Sequence, residues 1–112
     1  MLKIDEEDNI YLTRGDTAIL RVDITDETGE PYSMLPEDRL IFTVRKIPDR
    51  SHPVITKTVA GNVISLFTED TKDLTFGKYK FDIYLYNSSS DKLDTFIAEK
   101  TFELGEEVHD FE

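Results

Sequence analysis

The chain has 112 residues, 38% hydrophobic and 33% charged, with 24 acidic against 13 basic side chains and a formal net charge of −11. Such a length predicts one domain with a modest but real core. The acidic balance argues against nucleic acid, whose phosphates call for a basic patch. The absence of cysteine removes disulfides, thiol catalysis and thiolate metal ligands.

Residues 1–8 hold Asp5, Glu6, Glu7 and Asp8 against Lys3, and residues 105–112 hold Glu106, Glu107, Asp110 and Glu112. Both ends read as acidic, solvated tails around a single domain over 9–104. The opening residues contain no apolar run of signal-peptide length, which predicts a chain that is cytoplasmic when made. No stretch has the length and hydropathy of a membrane span, so no membrane partner is expected.

Ile10–Thr13 predicts a first strand, and Arg14-Gly15-Asp16 a turn. Thr17–Thr25 predicts a second strand, with Ala18, Leu20, Val22 and Ile24 inward and Ile19 outward. Asp26 to Pro31 reads as a polar loop, and Arg39–Lys46 as a third strand with Leu40, Phe42 and Val44 inward and Ile41 outward. Val54–Val59 and Asn62–Phe67 predict a hairpin turning at Ala60-Gly61-Asn62. Thr68–Leu74 predicts one helical turn capped by Thr68 or Asp70. Gly77–Tyr86 is the most regular strand, with Tyr79, Phe81, Ile83 and Leu85 inward and Tyr84 and Tyr86 outward. Leu93–Leu104 is the last strand, and its phase is mixed. Phe96, Ala98, Phe102 and Leu104 share one face while Leu93 and Ile97 share the other, so either a bulge near Lys100 or two buried faces is required. The fold class predicted is all-β, an antiparallel immunoglobulin-like β-sandwich of roughly seven to eight strands, with a small β-barrel as the alternative.

Little in this pattern is left for catalysis. His52 and His109 have no spaced second ligand, so no metal or other cofactor is expected. Asp23, Asp26, Glu27 and Glu30 lack the spacing of a calcium loop and read as a solvated turn. Ser88-Ser89-Ser90 lacks a nucleophile elbow and a base. Arg14-Gly15-Asp16 spells an adhesion tripeptide, but its position between two strands makes Arg14, Gly15 and Asp16 turn-forming residues. Asn87-Ser88-Ser89 matches a glycosylation sequon within a turn. The residues set aside for contact with other molecules are Ile19, Ile41, Tyr84 and Tyr86, apolar or aromatic side chains on outward rows, since tyrosine is enriched at interfaces. The alternative is a carbohydrate-binding module that stacks sugars on the same aromatics.

Five segments in order carry a further signal: Ile10-Tyr11-Leu12-Thr13-Arg14-Gly15-Asp16-Thr17, Gly29-Glu30-Pro31-Tyr32, Asp38 to Lys46, Asp70-Thr71, and Gly77-Lys78-Tyr79-Lys80-Phe81-Asp82-Ile83. Together they resemble small β-sandwich proteins encoded among the tail genes of phages and prophages of Gram-positive bacteria. The N-terminal domain of the phage baseplate upper protein is similar. The resemblance implies a non-enzymatic, virion-associated structural protein that assembles with itself or with other tail proteins. It brings no catalytic residues. The chain ends soon after the sandwich, so the resemblance does not extend to a receptor-binding or fibre segment.

Overall fold

The computed structural model describes residues 1–26, 28–48 and 51–106, with the backbone alone for Phe96. The described residues form eight strands and one short helix. These are β1 Leu2–Ile4, β2 Ile10–Thr13, β3 Ala18–Arg21, β4 Asp38–Lys46, β5 Pro53–Val59, β6 Val63–Leu66, α1 Thr68–Thr71, β7 Gly77–Asn87 and β8 Lys92–Gly105. Strands take 56% of the described residues and helix 4%, which makes the class all-β.

A six-stranded sheet runs in the order β1-β2-β8-β7-β4-β5, and a two-stranded sheet pairs β3 with β6. The expectation of a purely antiparallel fold needs correction. β2 runs parallel to β8, from Ile10 beside Phe102 to Thr13 beside Gly105. Only strands joined by a tight turn are forced antiparallel. β2 instead leaves through the Arg14-Gly15-Asp16 turn to the other sheet, so its direction against β8 is unconstrained by a hairpin.

The alternation read in the sequence sets the burial. Leu40, Phe42 and Val44 of β4, Tyr79, Phe81 and Ile83 of β7, and Phe102 and Leu104 of β8 are buried in one core with Ala18, Leu20, Val22, Ile24, Ile64 and Leu66 from the other layer. Phe42 sits at its centre, 5.6 Å from the Phe81 ring and 6.4 Å from that of Phe102. Aromatic pairs in tilted or edge contact add to the gain from burial alone. The inward row Ala18-Leu20-Val22-Ile24 stays buried past the end of β3. There the Asn62 carbonyl accepts from the Val22 amide at 2.9 Å, in place of a regular ladder.

The expected hairpin between 54–59 and 62–67 does not form. β5 pairs with β4, β6 pairs with β3, and residues 60–62 carry the chain from one sheet to the other. Both strands have the right alternation, but alternation does not specify a partner. Leu2–Ile4, expected within an acidic tail, pairs with β2 as an edge strand. The C-terminal tail expected over 105–112 lies beyond the described residues from 107 onward.

β8 resolves the mixed phase by two register shifts. Phe81 pairs with Lys100, Ile83 with Ile97 and Tyr84 with Thr95, so β8 carries an extra residue at each shift. Glu99 takes a positive φ of 25° at the first. The bulge expected near Lys100 is present. Ile97, rather than Ala98, packs against the core, and Leu93 is left outside. The Asn9 side chain accepts from the Thr101 amide at 2.9 Å beside the bulge, satisfying a donor next to the disturbed ladder.

The helix is one turn, as expected, but its N-cap is Phe67 rather than Thr68 or Asp70. The Asp70 carboxylate accepts from the Phe67 amide at 2.7 Å. It also meets the Lys57 ammonium at 2.9 Å. Lys57 stands opposite the inward residue Phe42, on edge strand β5. A charge on the inward row of an edge strand discourages pairing with another chain. Just before β7, the Tyr79 hydroxyl donates to the Thr75 carbonyl at 2.7 Å and so fixes the approach to that strand.

Candidate interaction faces

The adhesion-like tripeptide is tied into the fold. Gly15 has φ +87°, a conformation that favours glycine. Its amide donates at 2.8 Å to the hydroxyl of Thr71, which is fully buried. The Arg14 guanidinium donates to the Leu74 carbonyl at 3.2 Å and lies 4.1 Å over the Phe76 ring. The Asp16 amide donates to the Thr13 carbonyl at 3.1 Å, and its carboxylate meets the Met1 amino group. Arg14 and Gly15 lie in a turn, and these hydrogen bonds and the Asp16–Met1 ion pair tie the tripeptide to the rest of the fold.

The four interface candidates do not form one patch. Ile41, Tyr84 and Tyr86 share the outward face of the large sheet, where Ile41 and Tyr84 are direct cross-strand partners. Each of the three is half-buried by its neighbours. Ile19 is on the outward row of β3 in the other layer, where it is 62% exposed. Sequence periodicity separates inward from outward rows; it does not say which layer an outward row belongs to.

Beneath the two tyrosines the large sheet carries a polar cluster that the strand pattern alone does not reveal. Asp82 is buried on the outward row of β7. One of its oxygens accepts from the Tyr84 hydroxyl at 3.0 Å and from Arg45 at 3.3 Å, while the other has no hydrogen-bond partner among the described residues. Burial, then the Asp82 carboxylate, pushes the Tyr84 hydroxyl above the ordinary tyrosine pKa. The Tyr86 hydroxyl donates to Asp91 at 3.0 Å and is raised chiefly by that bond. Both rings are thereby held in place on the sheet surface. Leu93 stands opposite Tyr86 and is 57% exposed, extending the apolar strip across β8. Its signal was present in the sequence, where Leu93 and Ile97 share the face opposite to Phe96, Ala98, Phe102 and Leu104.

A cleft of about 720 Å³ opens between the loops before β4 and after β7, lined by Ile24, Tyr32, Leu35, Asp38 and Leu85 among others. Asp38 is its anchor and is fully buried. It accepts from the Tyr32 hydroxyl at 2.5 Å, the Leu35 amide at 2.8 Å and the Asn87 side chain at 2.7 Å. Burial disfavours its charged form, but these donors outweigh that and hold the carboxyl below its ordinary pKa. With three partners already satisfied, Asp38 is a staple between the loop and β7. Asn87, the sequon residue, also accepts from the Ser90 amide and hydroxyl, so both ends of its amide are occupied. Asp26 similarly closes its own turn by accepting from the Thr28 amide and hydroxyl and the Glu30 amide. No group of three potential metal ligands gathers among the described residues. No helix among them is long and apolar enough to cross a membrane. His52 is exposed; Glu27 and His109 lie outside the described residues.

Comparison of the sequence with protein-family models finds no match, and comparison with curated proteins finds no significant relative.

Proposed function

We propose that the chain is an immunoglobulin-like, non-enzymatic assembly module, a structural component of a phage or prophage tail or baseplate that acts through protein–protein contact. The observation that carries the reading is the strip formed by Ile41, Tyr84, Tyr86 and Leu93, adjacent across three strands on the outward face of the large sheet. Apolar and aromatic side chains gathered on one sheet face, with tyrosines held by hydrogen bonds, have the composition of a contact surface. The tail assignment rests on the order of segments that resembles tail-gene sandwich proteins.

Three features support the immunoglobulin-like reading. The order β8-β7-β4-β5 corresponds to strands G, F, C and C′ of that fold, and the β3-β6 pair to B and E. The Tyr79 hydroxyl bonded to a carbonyl four residues upstream matches the fold's tyrosine corner at the start of strand F. Phe81 then occupies the place two residues further on, where antibody domains carry a disulfide cysteine, and Phe42 on the C-equivalent strand packs against it. An aromatic pair would thus do in this cysteine-free chain what the disulfide and tryptophan do in antibodies.

The test is capture from a lysate of the parent phage or lysogen, with bound proteins identified by mass spectrometry, alongside light scattering of the pure protein. Binding of a defined tail protein, or self-association, that is lost in the Tyr84→Lys/Tyr86→Lys variant supports the reading. A monomer that captures no tail protein but is retained by a glycan array would transfer these tyrosines to carbohydrate recognition.

A further inference from the structure

Each sheet ends in two edge strands, β1 and β5 in the large one and β3 and β6 in the small one. An open edge offers unpaired N–H and C=O groups to another chain unless something blocks it. β1 has only three residues, β5 carries Pro53 and the inward Lys57, and β6 has four residues and runs directly towards α1. β3 has a longer and unguarded edge. Past Arg21 the Val22 amide still donates to the Asn62 carbonyl at 2.9 Å, and the Ile24 carbonyl then accepts from the Tyr32 amide at 2.9 Å. In an antiparallel ladder, residues whose backbone groups face one neighbour alternate with residues whose groups face away. Ala18, Leu20, Val22 and Ile24 therefore spend their backbone groups on β6 and the segment that follows it across the layer. Ile19, Arg21, Asp23 and Thr25 turn theirs to the open edge, and among the described residues no other segment bonds to them. The bridge between Thr25 and Pro31 is no exception, because its bonds are made by the flanking residues Ile24 and Asp26. No proline and no inward charge interrupts 17–25, whose inward row is wholly apolar and buried.

We propose that this edge pairs with the same edge of a second copy: residues 19–25 of the two chains run antiparallel across a two-fold axis at Val22. The occupant is read from the edge itself, which is complementary to its own reverse. About Val22, Arg21 stands opposite Asp23 of the second copy, and Asp23 opposite its Arg21. Ile19 faces Thr25, and Leu20 continues the apolar row into Ile24. Both charged side chains are exposed, and neither has an ion pair among the described residues. Unlike charges directly across an antiparallel pair stabilise it and like charges oppose it. An axis at Arg21 or at Asp23 sets like charges together, and an axis at Leu20 sets Arg21 against Ile19, so charge selects the register. Asp26 comes opposite Ala18, with its carboxylate turned into its own loop. The edge groups of Ile19, Arg21, Asp23 and Thr25 then meet as hydrogen-bonded pairs, and the two small sheets join into one. A contact of one patch with itself is isologous and closes at a dimer. It leaves the Ile41–Tyr84–Tyr86 face, in the other layer, open to a different partner, so the dimer stands independently of the assembly reading.

Charge reversal tests the register by sedimentation velocity at 0.15 M salt, where a screening length of about 8 Å subdues the repulsion between two chains of net charge −11. The wild type is expected to reach twice the monomer mass of 12.9 kDa and to stop there. Arg21→Asp and Asp23→Arg change exposed side chains, which seldom disturb a fold, and an unchanged circular dichroism spectrum and cooperative melting establish that each variant is folded. Either variant alone sets like charges across both pairs and is expected to stay monomeric where the wild type is dimeric. Mixed in equal amounts, the two are expected to form a heterodimer, because every aspartate at the contact then faces an arginine. Hydrogen exchange reads the backbone directly. The amides of Ile19, Arg21, Asp23 and Thr25 are expected to exchange more slowly as concentration rises, in the wild type and in the mixture but in neither variant alone. A wild type that is monomeric at every concentration would overturn the proposal. So would a mixture that stays monomeric, a dimer that either variant keeps on its own, or a dimer whose edge amides exchange at the monomer's rate. Capture of a tail protein through Tyr84 and Tyr86 is expected to survive in both variants, so loss of the dimer leaves the assembly function standing.

Discussion

The two layers of this domain are alike inside and unlike outside. The large sheet is built around nine residues of β4 and eleven of β7, whereas β3 and β6 have four each. Despite that difference in length, both layers turn alternating apolar rows to the same core. Outside, the large sheet holds two tyrosines, one bonded to the buried carboxylate Asp82 and one to the neighbouring Asp91. The small layer presents Ile19 and Phe67 among acids. Burial decides the inward rows, because each apolar side chain removed from water gains about 25 cal/mol per Å². The outward rows contribute little to stability, so their composition is free to serve contact with other molecules.

The largest expected effect falls on the shared interior. Phe81→Ala should destabilise the domain by about 3–5 kcal/mol, as aromatic truncations in cores do. Phe81 is 2% exposed and packs against Phe42. Denaturant unfolding measures it, and a loss below about 1 kcal/mol, the range of surface substitutions, would remove Phe81 from the centre of the core.

Next comes the staple at the end of the large sheet. Asp38→Asn should cost about 1–3 kcal/mol near neutral pH, the penalty for disturbing buried partners of a charged acceptor. The folded carboxyl titrates below the ordinary aspartate range, held there by its three donors. Its contribution is therefore fully present above the unfolded pKa and is lost as pH falls through the folded one. The gap between wild type and variant should narrow below about pH 4, near the ordinary aspartate pKa. A gap independent of pH would show that the Asp38 charge is not what the staple uses.

A smaller effect is expected at the entry to β7. Tyr79→Phe removes one hydroxyl, bonded to the Thr75 carbonyl at 2.7 Å, and keeps the buried ring. The net worth of one such bond is about 1 kcal/mol, readable as a small shift of the unfolding midpoint with the slope unchanged. A variant as stable as wild type would leave the corner without an energetic role.

Much of this arrangement was legible in the chain. The spacing of Tyr79, Phe81, Ile83 and Leu85 gave the inward row of β7, and Gly15 marked the turn that its positive φ requires. What stayed hidden is pairing. Val54–Val59 and 62–67 alternate correctly, yet they belong to different sheets, because strand partners are chosen by long-range packing that leaves no local trace. The parallel β2–β8 contact is hidden for the same reason. At the candidate face, Tyr84 and Tyr86 were readable as outward tyrosines, but the Arg45–Asp82 pair beneath them joins residues 37 positions apart. Ile19 looked equivalent to Ile41 because a period of two is silent about layers.

The most direct test of the central claim is the association constant of the pure protein and of its Tyr84→Lys/Tyr86→Lys variant toward any tail protein the wild type captures. The outward face of the large sheet, if it is the contact surface, should lose that association by tenfold or more, about 1.4 kcal/mol. The variant should remain folded, its unfolding free energy lowered chiefly by loss of the Tyr84 bond to Asp82, about 1.5–3 kcal/mol. Unchanged association with both tyrosines replaced, in a folded variant, would contradict the account.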